Sequence, residues 1–460
     1  MAEKKLGGFR TFLLIIITLG LAVVLSLAAY LILVPNATIF GLKYTSNDKK
    51  TVIEKVENDS RALFKFSDYA KIVVNAENHT NVKVTYGAAS GIANSQIILD
   101  ACTRGFMKTD AKSAYEISAV KSGTTLTITI AEPNYNFLQI TNQTTLWLNV
   151  YSGNDSVSGA TFEINTGSGS VVFGGAPTVN DVPKQITIGA ANIATKSGSI
   201  KMLETTKINS SANLSTTKGA IVLNGDKTIP NLSLTTTTGK ITTDKVVGNV
   251  SLKSFNSNIT MGDITGNVNV EMQSGILNFA NINGNLISEN KLLDTTVTTV
   301  KAKTITGEVT LVNDNGDFSV DIEKILGNTS IRTLNKAVKI GEVGGVCEIQ
   351  TKNGAINVKK ASGNTQSLLL RTTGNGHVTL SFDQLAGINT IFTQRGAVTV
   401  KFRPTAAFVL NANTEGRIYC TWRDSDENPL INSIVGSETT PSSTLTISST
   451  KGNIRIEQAE

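Results

Sequence analysis

The sequence predicts an all-β protein in which a single N-terminal transmembrane helix precedes a parallel β-solenoid, a β-helix of about 20 residues per coil. Three observations carry that expectation: a composition poor in charge and rich in strand formers, one long apolar segment, and a recurring phrase. Among 460 residues only 17% are charged, while 59 are Thr and 39 are Gly. An average globular chain is about 25% charged, so hydroxyls and amides supply the missing polarity here. Thr and Val favour strands, and strong helix formers are scarce.

Phe12 to Val34 form 23 consecutive residues without a charge. At about 1.5 Å per residue such a helix crosses a hydrocarbon layer of roughly 30 Å. Lys4, Lys5 and Arg10 precede it, and Pro35 with Asn36 ends it. By the positive-inside rule residues 1–11 form a cytoplasmic tail, 12–34 the membrane helix, and everything after Pro35 lies outside. A cleaved signal peptide is the competing reading. Cutting after Ala28-Ala29 would leave the apolar Tyr30-Leu-Ile-Leu-Val34 as the new terminus, so an uncleaved anchor is preferred. Residues 35–64 are polar without sustained periodicity and read as a juxtamembrane spacer.

Residues 65–165 read as a strand-rich opening module. AKIVVNAE and NVKVTYG suggest an antiparallel pair, as does AYEISAVKSGTTLTITI with its Ser122-Gly123 turn. From 166 to 403 the phrase Gly-x-apolar-x-apolar recurs, for example SGSIKM at Gly198, KGAIVL at Gly219, NGAINV at Gly354 and RGAVTV at Gly396. Its first apolar column reads Val171, Ile200, Ile221, Ile241, Ile259, Leu277, Phe318, Val338, Ile356, Val378, Val398 and Ile454. The period of two within each phrase is that of a strand with one buried face. A second column, often Gly-Asn (Gly248, Gly266, Gly284, Gly327), lies half a phrase away and opens a second short strand. Gly and Asn at the corners tolerate positive φ, and Asn at repeated corners can stack as amide ladders. Between Asn285 and Thr304 the pattern blurs, which reads as one degenerate coil. Residues 404–460 form the C-terminal coils, interrupted by an insertion or cap at Thr421–Ser443, with LTISSTKGNIRI as the last coil.

The iterated GNVSLKS and SGxIxV phrases, the SGTTLTITI strand, and the tail RGAVTVKFRPTAAFVLNANTEGRIYCTW followed by LTISSTKGNIRI resemble the bacterial putative-adhesin domain family of unknown function. The resemblance covers roughly residues 65–458. It implies a β-solenoid, often membrane-anchored. That family has no catalytic signature, so the resemblance assigns no functional residue.

Much chemistry is excluded by scarcity. With only His79, His377, Cys102, Cys347 and Cys420, widely scattered, no cluster can supply a typical zinc site, and neither His sits in a nucleophile motif. The net charge of +6 includes the basic N-terminal tail and falls short of a nucleic-acid footprint. The outward column Lys245, Asp263, Asn281, Glu342, Lys360 offers no paired carboxylates on adjacent coils for polysaccharide cleavage. Asp314-Asn-Gly-Asp317 reads as a tight turn, because the later ligands of a calcium loop are missing. Cys347 falls on an inner column, and free thiols are expected throughout. No catalytic, cofactor or metal residue is assigned.

The one local cluster of charge and aromaticity, Trp422, Arg423, Asp424, Asp426 and Glu427, is a candidate contact loop, with a solvated cap as its alternative. The expected function is a non-enzymatic, membrane-anchored, adhesin-like module at the cell surface. Its expected partners are the lipid bilayer through residues 12–34 and a surface protein or glycan, with no nucleic acid. A self-associating envelope scaffold, and then a carbohydrate-active β-helix enzyme, are the alternatives.

Overall fold

The computed structural model describes residues 2–34, 37–53, 55–61, 64–76, 79–87, 94–108, 115–133, 138–151, 155–176, 183–289, 298–421, 428–436 and 440–459. The protein is mostly β, 63% strand and 7% helix, with one N-terminal apolar helix. That helix, Ala2–Leu33, contains the segment Arg10–Leu33, of mean hydropathy 2.8, whose most apolar stretch the rest of the chain leaves exposed. Its hydroxyls at Thr18 and Ser26 donate to the carbonyls of Leu14 and Ala22 four residues earlier (2.7 and 2.8 Å), so neither needs water.

In the body of the chain each strand pairs in parallel with the strand one phrase later. One face stacks Val171, Ile200, Ile221, Ile241, Ile259 and Leu277 in strict register. The other stacks Ala191, Ala212, Leu232, Val250 and Val268. From Ile200 to Val398 the sequence offset between stacked positions runs from 18 to 23 residues, as in the 18 between Asn249 and Asn267 and the 23 between Leu277 and Val300, whereas Val171 and Ile200 are 29 apart. Alternation turns every second side chain inward, and the inward ones merge into one apolar core reaching from Val56 to Ile456. Each fully buried Val, Ile or Phe contributes roughly 1.5–3 kcal/mol to that core.

A closed ring of seven strands lies in the middle of the stack, where a plain succession of separate coils was expected. Its members are Val268–Asn283, Leu286–Glu289, Val309–Val312, Thr329–Thr333, Val338–Thr351, Phe318–Ile325 and Thr298–Ile305, and every pairing in it is parallel. The ring closes because two of the seven, Val268–Asn283 and Val338–Thr351, run unbroken through a corner and so belong to both faces. The first apolar column is corrected beside the blurred stretch. Val300 stands between Leu277 and Val320, and Val320, not Phe318, is the partner of Val338. The Gly316 phrase is therefore displaced by two residues relative to its neighbours.

Both ends depart from the order expected. Lys71–Ala76 and Asn81–Gly87 are not paired with each other. They form the two sides of one layer, inserted in parallel between Thr125–Ala131 with Leu138–Tyr151 below and Thr161–Thr166 with Val171–Phe173 above. The antiparallel pair Glu116–Ser122 with Thr125–Ala131 does form as expected. At the other end Thr444–Ser449 and Ile454–Gln458 are the penultimate layer, not the last. They lie between Ile388–Thr393 with Val398–Phe402 and Phe408–Thr414 with Ile418–Cys420. The stretch read as a spacer contains a 12-residue strand, Leu42–Ile53, laid antiparallel on Gln96–Lys108. Its polar sequence suits it to that position, since many of its residues stay exposed.

Close approach explains the anchor glycines, one of which, Gly275, also has positive φ (118°). A methyl built on Gly219 would overlap the carbonyl oxygen of Gly198 in the layer below, and the same holds for Gly239 over Gly219 and Gly396 over Gly376. Positive φ appears in the second column, as at Gly266 (φ 143°). There the following Asn bonds upward: Asn249 and Asn267 each accept, through Oδ1, the backbone N–H of the next layer's Asn at 3.1 Å. In this column the amide ladder is thus side chain to backbone, while at the other corner the Asn353 Nδ2 donates to the Asn335 Oδ1 at 2.7 Å, side chain to side chain.

Candidate ligand-binding groove

The outward face carried by Ile241–Thr243, Val246–Met261, Val268–Asn283, Thr298–Ile305 and Phe318–Ile325 holds a groove of about 460 Å³. Parallel register lines up Thr242, Thr260, Asn278, Lys301 and Asp321 along one outward row. One step along each strand, the next row holds Asp244, Gly262, Ala280, Lys303 and Glu323. Gly262 and Ala280 make the floor, because every neighbour in their row is longer. Gly262 cannot be larger, since a methyl there would overlap the Asp244 carbonyl.

One wall is Asp244, whose Oδ2 accepts the Gly225 N–H at 2.7 Å. The other is the lysine pair Lys301 and Lys303, followed one layer on by Asp321 and Glu323. Elsewhere opposite charges on adjacent layers close into ion pairs, such as Lys253–Glu271 at 2.7 Å and Lys324–Glu342 at 3.3 Å. Among the described residues none of the five groove charges forms one within 4 Å. The groove therefore presents hydroxyls and an amide repeating at about 4.8 Å, with ammonium groups at one end still open to a ligand. Asp244 and Glu323 lie four layers apart, about 19 Å at that spacing, too far to act together on one glycosidic bond.

Behind the Asp244 wall lies a residue whose position the phrase pattern did not signal. Lys227 points inward, 2% exposed, on a column otherwise aliphatic from Val246 onward, and its Nζ donates to the Leu203 carbonyl at 2.6 Å. Burial lowers its pKa to about 8 from 10.5, although Glu204, Asp244 and Asp226 pull the other way. Between pH 8 and 10.5 the unfolded chain holds this proton and the folded chain does not. Stability should accordingly rise with pH across that window, the penalty being complete below it. Urea unfolding at pH 7.5 and 10.5 should show wild type gaining about 1–3 kcal/mol relative to Lys227→Met. Parallel pH profiles would contradict this assignment.

The groove was not among the residues singled out from the sequence. Its signal is the pair of small residues at outward positions two phrases running, legible only once register is known. A second signal, Thr-x-x-Gly before each corner, also went unread. Thr195 and Thr351 donate to the carbonyls of Gly198 and Gly354 (both 2.6 Å), and Thr216 accepts the Gly219 N–H at 2.9 Å. These hydroxyls are buried and hold corners together. Trp422, Arg423, Asp424, Asp426 and Glu427 lie outside the described residues. An aromatic–cation pair of the kind sought there occurs at Lys83, whose ammonium stands 4.2 Å over the Trp147 ring.

The remaining candidates are pins between layers. The His79 Nδ1 lies 2.6 Å from the Ser168 hydroxyl, and the His377 Nδ1 accepts the Ala397 N–H at 2.9 Å. Asp317 accepts the backbone N–H groups of Asn335 and Lys336 (2.6 and 2.7 Å), and Asp314 pairs with Arg332. In the outward column Asp263 accepts from Asn281 at 2.8 Å, and Lys360 pairs with Asp383. No disulfide joins Cys102, Cys347 or Cys420, and burial pushes the Cys347 thiol up to about 12.

No protein family and no curated protein matches the chain. Among solved structures it is similar to a putative cell adhesion protein from Clostridium sporogenes, at 8% identity and a TM-score of 0.18, covering 90% of this chain and 100% of that one. A putative lipid binding protein from Parabacteroides distasonis gives 13% identity and a TM-score of 0.27, covering 68% and 96%. At these TM-scores neither superposition carries an argument.

Proposed function

We propose that the chain is a membrane-tethered β-solenoid which binds a partner at the cell surface through its outward faces, an adhesin-like module without catalysis. The solenoid reading is supported by the uniformly parallel register and by offsets that stay within one phrase. A seven-strand ring is what such a stack produces wherever two strands turn a corner unbroken. The tether reading is supported by the apolar helix, and the basic residues before it favour a cytoplasmic N-terminus.

The observation that carries the binding role is the groove between Asp244 and Lys303, with its open ammonium groups beside a row of hydroxyls. That chemistry suits a polyhydroxylated chain bearing carboxylate or sulfate groups better than a neutral one. The test is a binding screen of the detergent-solubilised protein against acidic glycans, neutral glycans and envelope proteins. Lys301→Glu with Lys303→Glu should weaken acidic-glycan binding at least tenfold, as two reversed contacts of about 1 kcal/mol or more require. Unchanged binding would move the site elsewhere. Concentration-dependent sedimentation without ligand binding would favour a self-associating scaffold, and release of reducing ends a carbohydrate-active enzyme.

A further inference from the structure

After the helix ends at Leu33 the chain turns back on itself. Thr38–Ile39 and Leu42–Ile53 form a hairpin whose apex is Phe40-Gly41, with φ of 51° and 72° at the two apex residues. Positive φ at both positions is the tight turn that suits two-residue hairpins, and Gly41 adopts it freely. Phe40 is a costly choice there: a bulky side chain at positive φ, 93% exposed to the surroundings. The hairpin runs alongside the helix. Ile39, Phe40 and Leu42 face Val24, Leu27 and Leu31 across a wholly apolar groove of about 290 Å³, and Leu31 is 93% covered by this contact and its own helix.

Depth follows from helix geometry. Leu31 and Val24 lie three and ten residues before the end of the apolar segment at Val34, so they sit about 4–15 Å below its outer end. Half of a roughly 30 Å hydrocarbon layer is about 15 Å. Anything packed beside these residues shares the outer leaflet with them. Lys43, one position beyond Leu42 and only half-buried, can carry its ammonium back to the headgroups along its own stem. The strand Leu42–Ile53 then leaves the bilayer along Gln96–Lys108, with Tyr44 against Phe106 at a ring separation of 5.4 Å.

We infer that the Phe40-Gly41 hairpin is a second membrane element, a wedge whose apex enters the outer leaflet and whose groove against the helix is filled by lipid acyl chains. This rests on the tether reading above and adds to it. The β-domain is then clamped against the bilayer at two points, not free to swing on a flexible stalk. The occupant is argued from continuity: the groove opens onto the same apolar helix surface that the membrane covers, with no polar group between them.

The test uses the full chain in phosphatidylcholine vesicles, with and without lipids brominated on their acyl chains. Phe40→Trp reports the hairpin and Leu21→Trp the helix, each read against wild type so that the native tryptophans cancel. The added emission of both variants should fall severalfold in brominated vesicles. Quenching of Leu21→Trp without quenching of Phe40→Trp would overturn the wedge and leave the tether standing. Absence of quenching in both would overturn the tether and the wedge together.

Discussion

Ending the chain at Gly436 should release the Phe408–Cys420 layer as well as remove the last two strands. In the native stack Thr444–Ser449 and Ile454–Gln458 separate that layer from Ile388–Phe402 and supply its parallel hydrogen bonds. Their loss removes the buried side chains Leu445, Ile447, Ile454 and Ile456. Together these represent about 6–12 kcal/mol of transfer free energy before conformational entropy is counted. Phe408–Thr414 would keep only its antiparallel partner, Leu430–Val435. Hydrogen exchange should show protection lost across Phe408–Cys420 and retained at Val338–Thr351. Protection retained at both would mean that the layers close up directly, contrary to the interleaved order.

The interleaving has a physical consequence at each end. A stack whose last layer is its chain terminus can fray one strand at a time. Here the terminal strand pair is held on both sides, and antiparallel additions cover part of each end: Leu42–Ile53 and Glu116–Ser122 at one, Leu430–Val435 at the other. An antiparallel edge does not continue the parallel register, which discourages growth onto a second molecule.

Asp155→Ala should destabilise the N-terminal end by about 3–5 kcal/mol, the cost of stranding buried donors that bonded a carboxylate. Asp155 is buried, and its oxygens accept the N–H groups of Phe66 and Ser67 at 2.7 Å and the Ser95 hydroxyl at 2.6 Å. Ser95 in turn accepts the Tyr151 N–H at 3.2 Å. One side chain thus ties the short helical turn Phe66–Asp68 to the ends of two strands far apart in sequence. Asp226→Ala, which breaks an exposed pair with Lys245, is the control and should change stability by less than about 0.5 kcal/mol. Equal urea midpoints for the two variants would refute the assignment.

Different parts of this protein were legible to different degrees, for reasons visible in particular residues. The inner columns could be read directly, because Ile200, Ile221 and Ile241 obey a period of two and nothing but stacking buries them. The corner glycines were legible as positions, but their cause was not: Gly219 is demanded by a carbonyl belonging to the previous layer, which no local pattern contains. Phe318 was misassigned because it occupies the right place in its phrase while the Leu277–Val300–Val320 register, set by a neighbour in space, selects Val320. The groove escaped notice because Gly262 and Ala280 are unremarkable alone and become a floor only between Asp244 and Lys303.

Sequence alone determined what alternation and composition can encode: a mostly-β chain, one apolar helix, inner columns and corners. Tertiary structure alone decided which layer lies on which, how both chain ends are threaded between layers, and where the hairpin meets the helix. Local periodicity specifies which face of a strand is buried. It leaves open the neighbour against which that face and its edges are completed, since every layer offers the same hydrogen-bonding edge.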